Sequence, residues 1–352
     1  MISSRCFTKD WIDHLREIYP KTDPVLLEKT IYAFELLGLL VQSEQSFIFK
    51  GGTALLFHIP DANRLSIDVD IVGKFEIDAL KKFIKGSQFI DINEDFRESK
   101  CIPKRHFAFT YSSLFQQANS NILLDVLEVN NPYSQIIMKP INHHLFEIEE
   151  SLSVSLPTIE GLLGDKLTAF APETIGVSYG INKSMEILKQ LYDIGILFDK
   201  ASDIKTLRSN YQSVYVIENQ FRDSKFNHDN VLEDTIDTSY LLCQLDLRSA
   251  VENKKTQELR NGILQLKSHL LNASFNFPEA KVAASKAAFL AASVKAANKI
   301  NPFQLRYNQD KIDELHEANI SGRFSILNRL KGSLPEAFYY WHLISQWENE
   351  LE

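Results

Sequence analysis

The chain has 352 residues, of which 44% are hydrophobic and 24% charged, and its net charge is −8. This composition excludes an intrinsically disordered chain and suffices for the hydrophobic cores of one large or two ordinary domains. The N-terminal segment lacks the apolar core of an export signal, and the three cysteines form neither a zinc pair nor a disulfide framework. We therefore expect a cytoplasmic protein without a membrane span.

The first half of the chain mixes helical and strand patterns. Asp23 followed by Pro24 is typical of a helix N-terminus, and apolar residues recur at helical spacing after it. Further on, short apolar runs with period two indicate strands. The predicted elements are a helix at 24–41, a strand at 46–50, a helix at 53–59 and strands at 66–72, 106–111 and 121–129.

From Thr158 onward the pattern is helical almost throughout. The predicted helices are 159–170, 185–198, 229–247, 254–271, 279–300, 309–318 and 335–351. We therefore predict an α/β (α+β) core with a mixed β-sheet at 1–175, followed by an all-α domain at 176–352.

One stretch of the first half combines two signals of phosphate chemistry. A strand that ends in Gly51-Gly52 lets the backbone approach a ligand closely, and the amides of the following helix face an anion. The next strand carries Asp68 and Asp70, which project to the same side because they are two residues apart. Each signal alone is weak, but their order along the chain favours a function over a turn and a surface charge pair.

Two carboxylates beside a phosphate turn indicate Mg²⁺, because this ion binds one or two carboxylates together with substrate phosphate oxygens. Two such ions would flank an in-line displacement, and the second would need a third carboxylate. Asp125, inside an otherwise apolar strand, is the candidate. Glu128 is an alternative acid, on the opposite face of that strand. We expect one or two Mg²⁺ ions and a nucleoside triphosphate (NTP) substrate.

The stretch from Phe49 to Val72, which contains KGGTAL and RLSIDVD, resembles the nucleotidyltransferase core of the DNA-polymerase-β superfamily. More narrowly, it is similar to the AbiEii-type nucleotidyltransferase toxins of bacterial abortive-infection and toxin–antitoxin systems. LLGDKLTAF (Leu162–Phe170) and KQLYDIGIL (Lys189–Leu197) resemble two further segments of that family. The resemblance spans about residues 25–200.

The resemblance implies a role for each matching residue. Asp68 and Asp70 would bind the metal and, with Lys166 and Asp193, form the catalytic set. Lys166 would contact phosphate, and Asp193 could orient it through a charge-assisted hydrogen bond. Nucleotide-binding roles are implied for Gly51, Gly52 and Thr53 as the phosphate turn, and for Lys50 and Ser66 beside it.

Two positions depart from the family pattern. The family usually carries an arginine a few residues beyond the D-K-L-x-A segment, where this chain reads PETIG (Pro172–Gly176). The acid that often follows the basic residue of the last motif is Gln190 here. The missing arginine bears on the nucleotide preference, on the binding of the triphosphate and on the role of Lys166.

The resemblance further implies a growth-arresting toxin that adds a nucleotide to the 3′ end of tRNA or another RNA, with a cognate antitoxin protein as partner. The segment 280–309 has five Lys/Arg and no acid, and it is our candidate for RNA backbone contacts. In a helix, Lys281, Lys295 and Lys299 would lie near one side of this segment. A solvated helix face is the alternative for that segment. The acceptor could also be a protein or small-molecule hydroxyl, or the chain could be a non-catalytic nucleotide-binding protein. His143-His144, without matching Cys or His spacing, is read as structural.

Overall fold

A computed structural model describes residues 1–59, 64–95, 102–271, 274–296 and 301–351. The chain divides into two compact units, Met1–Thr158 with Ser268–Ala273, and Ile159–Lys267 with Ser274–Glu352. The domain boundary predicted at residue 175 stays a prediction. No helix in the described ranges has both the length and the apolar character needed to cross a membrane.

The first unit is built on a mixed β-sheet, which confirms the predicted fold class. Its helices and strands are α1 (Lys9–Ile18), α2 (Pro24–Gln42), β1 (Ile48–Lys50), α3 (Gly51–His58), β2 (Val69–Val72), α4 (Ile77–Ile84), β3 (Asp91–Glu94), β4 (Lys104–Tyr111), β5 (Ser120–Leu127), β6 (Ile136–Pro140) and β7 (Ser153–Pro157). The five-stranded sheet has the order β1-β2-β5-β4-β3, and β6 pairs with β7 separately. Strands β2 and β5 are parallel, whereas all other neighbours are antiparallel.

Helix α2 forms much of the core of this unit. Asp23 accepts a hydrogen bond from the Val25 amide and Pro24 occupies the first turn, as predicted from the sequence. Its side chains are buried along almost the whole helix, and it packs against β2, β5 and α4. Val69 and Ile71 of β2 are fully buried. The alternation of β2 therefore leaves Asp70 on the other face of the sheet.

The second unit is helical. It contains α5 (Ile159–Ala169), α6 (Ser184–Lys200), α7 (Ile204–Gln220), α8 (His228–Gln244), α9 (Lys254–Leu266), α10 (Phe277–Lys295) and α11 (Pro335–Leu351). Helix α10 contacts α6, α8 and α11 and is buried along most of its length. The small side chains of α10 allow this close packing, since a Cβ on Gly195 of α6 would lie 3.0 Å from the Cβ of Ala283.

Several predicted elements change in the structure. The helix predicted at 309–318 is wrong, because the segment forms two 3₁₀ turns, Gln309–Lys311 and Asp313–Leu315. Leu315 is the one buried side chain described there, so a helix would have no apolar face to pack. Helix α3 begins two residues earlier than predicted, at Gly51. Helices α1, α4 and α7 and strands β3, β6 and β7 were not predicted.

Candidate active site

A row of four polar residues crosses the five-stranded sheet. The strand register pairs Lys50 with Asp70, Asp70 with Asp125, and Asp125 with His106. Register partners on neighbouring strands project to the same face, about 5 Å apart. Asp68 lies directly before β2, two residues from Asp70. The strand register therefore places two of the predicted acids, Asp70 and Asp125, on one side of the sheet, and Asp68 lies next to them in the chain.

The glycine pair begins α3 next to the carboxylate of Asp70. Gly51 has a φ of +79°, and a Cβ atom there would overlap the Asp70 carboxylate. A Cβ on Gly52 would lie 2.5 Å from Nη2 of Arg64 and 2.9 Å from Oγ of Ser66. Only glycine allows this approach, because it has no Cβ and tolerates positive φ. The predicted phosphate turn and one predicted metal ligand are thus in contact.

The start of α3 carries positive charge from its backbone and from a side chain. The residue at its N-cap is Lys50, whose side chain makes no cap hydrogen bond. The backbone amides of a helix N-terminus carry partial positive charge, and they are a common binding site for anions. The arrangement is suited to the phosphate groups of a nucleotide.

Thr53 links α3 to the beginning of β2. Its hydroxyl donates a 2.7 Å hydrogen bond to the backbone carbonyl of Asp68, and the side chain is fully buried. This bond fixes the backbone next to the first aspartate. The nucleotide-binding role of Thr53 stays a prediction.

Arg64 and His106 are polar neighbours of the site that we did not single out from the sequence. Arg64 is 2% exposed although it carries a full positive charge, and its guanidinium lies beside Gly52. Its segment is fixed by an antiparallel bridge to Leu270. Nδ1 of His106 is 2.7 Å from Oδ1 of Asp125. The two predicted strands at 106–111 and 121–129 were the available signal for His106, because their antiparallel pairing brings this residue opposite Asp125.

The donor set fits a magnesium ion held together with substrate. Asp68 and Asp70 supply two carboxylates two residues apart, and Mg²⁺ in nucleotide sites commonly uses one or two carboxylates plus phosphate oxygens. In the described part of the chain, no group of three or more His, Cys, Asp or Glu side chains is arranged to hold a metal ion by itself. The metal-binding role of Asp125 stays a prediction.

In the second unit, Lys166 and Asp193 form the ion pair anticipated from the sequence. Nζ of Lys166 on α5 is 2.9 Å from Oδ2 of Asp193 on α6, and their side chains are 7% and 0% exposed. A buried carboxylate needs such a partner because its desolvation is costly. The pair joins the two helices. Phosphate contact by Lys166 stays a prediction.

The segment Pro172–Gly176, where the family arginine is missing, is hydrogen-bonded to a buried aspartate. Asp234 of α8 accepts 2.8 Å hydrogen bonds from the Glu173 amide and from the Thr174 hydroxyl. Burial raises the pKa of Asp234 to about 6, and these hydrogen bonds oppose the rise. Loop anchoring is therefore the role of this segment in the structure.

The predicted RNA-binding lysines of segment 280–309 are largely engaged elsewhere. Lys281 is 6% exposed and donates to the Leu245 carbonyl, and burial lowers its pKa. Lys286 is 7% exposed and pairs with Asp199 and Glu336. Lys295 pairs with Glu233 at 2.6 Å. The prediction of a basic RNA-facing surface is thus wrong for Lys281, and Lys299 lies outside the described residues.

The histidine pair has a structural position. His143 is 5% exposed, and its ring stacks on that of Phe34 with 5.6 Å between centroids. The ring of His144 is tilted to it with 4.0 Å between centroids. Burial, with a smaller contribution from His144, lowers the pKa of His143 to about 3. It is therefore an uncharged core residue at neutral pH.

Comparison with known proteins gives one match at the level of sequence families. The model of the family described as nucleotidyl transferase AbiEii toxin, type IV TA system, matches residues 36–279. A "putative nucleotidyltransferase" from H. pylori is similar in structure, with 15% identity, coverage of 80% of this chain and 97% of that chain, and a TM-score of 0.43. JHP933 from Helicobacter pylori has 13% identity, coverage of 88% and 100%, and a TM-score of 0.41. No curated protein matches the sequence.

Proposed function

Because this chain belongs to the AbiEii family of nucleotidyltransferase toxins of type IV toxin–antitoxin systems, we propose that it transfers a nucleoside monophosphate from an NTP to the 3′ end of an RNA. In this proposal Asp68 and Asp70 hold Mg²⁺, and the start of α3 binds the triphosphate. The acceptor hydroxyl loses its proton to solvent and attacks the α-phosphorus, so that a new P–O bond forms. The bond between the α-phosphorus and the oxygen that bridges it to the β-phosphorus breaks, and pyrophosphate leaves with the electrons of that bond.

The observation that carries the proposal is the contact between Gly51 and the Asp70 carboxylate at the start of α3. Amides that suit phosphate oxygens and a carboxylate that suits a cation meet there, within one unit of the chain. Lys50 adds a compact positive charge next to the same amides. A polyphosphate chelated to a divalent cation is the ligand class that satisfies all three groups together.

Each residue of the site has a separate task in this proposal. The amides at Gly51 and Gly52 bind phosphate oxygens, and Lys50 and Ser66 line the same turn. Thr53 keeps Asp68 in place through the bond to its carbonyl. A bound divalent cation supplies charge neutralisation and a template for in-line displacement. Asp125 is the third carboxylate if a second ion takes part.

Lys166 and Asp193 are proposed to act in the same reaction because the family motifs match at both positions. A lysine is a point charge suited to a triphosphate, and its buried aspartate partner holds it in one conformation. A cognate antitoxin is the partner proposed from the family's place in type IV systems.

Transfer of label tests the proposal. We would incubate the purified protein and Mg²⁺ with each α-³²P NTP and with total cellular RNA or total cellular protein. We expect label on a discrete RNA band with the wild type and no label with Asp70→Asn. Asp78→Asn is the matched control, because Asp78 is an exposed acid of α4 in the same unit.

The outcomes separate the acceptor classes. Label on protein instead of RNA would replace the RNA acceptor with a protein hydroxyl and leave the proposed nucleotide site intact. Transfer by Asp70→Asn at the wild-type rate would contradict the assignment of the site, and no transfer with any NTP by folded protein would contradict the proposed reaction.

A further inference from the structure

His106 lies next to the proposed site without belonging to the family motifs found in the sequence. It is on β4, in register with Asp125 of β5, and its Nδ1 is 2.7 Å from Oδ1 of that residue. The side chain of His106 is 15% exposed, whereas that of Asp125 is 40% exposed. An ionised carboxylate only accepts hydrogen bonds, so Nδ1–H of His106 is the donor.

This hydrogen bond restricts the carboxylate of Asp125. A half-exposed aspartate rotates about its side-chain torsions, and each orientation it loses on binding a ligand costs entropy. With one oxygen held by the less exposed histidine ring, the second oxygen keeps a fixed direction. Histidines and carboxylates that support ligands in this way are common around metal sites, where they set the orientation of the group that binds the ion.

Asp125 lies next to Asp70, one of the proposed metal ligands. Asp125 and Asp70 are register partners on the parallel strands β5 and β2, so their side chains are neighbours on the same face of the sheet. Asp70 in turn lies against Gly51 at the proposed phosphate turn. His106 is thus two strands from Asp70, and Asp125 lies between them in the strand register.

We propose that His106 is a positioning residue that orients the Asp125 carboxylate toward the cation held by Asp68 and Asp70. This inference rests on the proposed function, because it assigns a third carboxylate to the same site. His106 acts through Asp125 and does not contact the nucleotide. Replacing the histidine therefore changes the affinity for the divalent cation, and it does so only while Asp125 retains a carboxylate.

Two substitutions at position 106 separate this role from simple packing. His106→Leu keeps an apolar body of similar size and removes the donor. His106→Asn places an amide N–H near the position of Nδ1 and restores the donor. Thr110→Val is the matched control, because Thr110 is four residues away on the same face of β4 and pairs with Asn121. Circular dichroism and thermal unfolding establish that each variant is folded.

The readout is the dissociation constant for Mn²⁺ alone, measured by the EPR signal of the free ion. We expect His106→Leu to weaken Mn²⁺ binding about tenfold, as is typical when a supporting residue is removed. We expect His106→Asn to stay close to the wild type, and Thr110→Val to match it. In an Asp125→Asn background, His106→Leu should have no further effect, which is the signature of action through Asp125.

Other outcomes overturn the inference in distinguishable ways. If His106→Leu binds Mn²⁺ as tightly as the wild type, or weakens it equally in the Asp125→Asn background, His106 does not position Asp125 and the proposed reaction stands. If the wild type binds no Mn²⁺ at millimolar concentration, the inference and the metal-binding part of the proposed function both fail. If the Mn²⁺ results are as expected but no NTP is transferred, the inference stands and the proposed reaction fails.

Discussion

At the scale of single residues, Gly51 shows how the backbone of the site depends on the absence of a side chain. Gly51→Ala should greatly reduce nucleotidyl transfer, because the new Cβ displaces the Asp70 carboxylate. It should also cost about 1–2 kcal/mol in the free energy of unfolding, because of the left-handed backbone. Transfer rates and urea unfolding of the variant test both effects.

Gly180 provides the matched control for this substitution. Its φ of +80° is almost that of Gly51, but nothing lies within 4 Å of a Cβ built there. Gly180→Ala should show a similar loss of stability with a normal transfer rate. Equal transfer rates for the two alanine variants would contradict the close contact at Gly51.

Glu35 of α2 should make the stability of the first unit depend on pH. It is 3% exposed and accepts a hydrogen bond from the Ile2 amide at 3.2 Å. Burial raises its pKa from 4.5 to about 7, with Glu149 adding to the rise while the Ile2 hydrogen bond and the N-terminal ammonium oppose it. The folded state therefore binds this proton more tightly than the unfolded state does. Its contribution to stability is complete below pH 4.5 and is lost as the pH rises through 7.

Glu35→Gln removes this titration. Between pH 5 and pH 8, the free energy of unfolding should fall less in the variant than in the wild type, by on the order of 2–3 kcal/mol. Urea unfolding at the two pH values measures the difference. Parallel losses in the two proteins would show that Glu35 titrates normally.

At the scale of elements, the ion pair between α5 and α6 serves packing and is proposed to serve catalysis. Lys166→Met should destabilise the protein by about 3–5 kcal/mol, because it leaves the buried Asp193 carboxylate without its partner. The double variant Lys166→Met/Asp193→Leu should recover most of this loss, as measured by urea unfolding. If Lys166 contacts phosphate, the double variant should be stable but still inactive in nucleotidyl transfer. Recovery of transfer together with stability would reduce the pair to a structural role.

Helix α10 is stabilised by lysines that the sequence assigned to RNA. Lys281→Met should lower stability and leave the salt dependence of RNA binding unchanged, because its Nζ is buried against the Leu245 carbonyl. Lys295→Ala should change stability little, since the side chain is 41% exposed and its ion pair lies at the surface. Filter binding over a range of salt concentrations measures the slope. The slope is that of the logarithm of the RNA-binding constant against the logarithm of the salt concentration. If Lys281→Met decreased the size of this slope by about one, Lys281 would be a phosphate contact after all.

At the scale of the whole molecule, the sequence correctly predicted those features of the fold that depend on residues close together in the chain. The cap at Asp23, the alternation around Asp70 and the helical character after Thr158 all depend on residues close in the chain. The mixed sheet followed by helices was accordingly predictable as a fold class. The alternation of Val69, Asp70 and Ile71 in β2 places Asp70 on the face opposite the two buried side chains.

The rest depends on contacts between distant segments. The partnership of His106 with Asp125 requires the register of β4 on β5, and the burial of Lys281 requires α8 and α10 to pack together. The sequence of 280–300 predicted a basic, exposed helix because a sequence shows which residues are charged but does not show which of them are buried. Segment 309–318 has helical spacing, but it lacks the apolar face that would stabilise an α-helix.

The most direct test of the central claim is the initial rate of pyrophosphate release from each NTP with Mg²⁺ and total cellular RNA. It would be measured for the wild type, Asp68→Asn, Asp70→Asn and the surface control Asp78→Asn, all shown to be folded. We predict that the first two substitutions lower the rate by at least about a hundredfold, more than the loss of a supporting residue would, while Asp78→Asn leaves it unchanged. Release at the wild-type rate by Asp68→Asn and Asp70→Asn would contradict the claim that these carboxylates form the catalytic site.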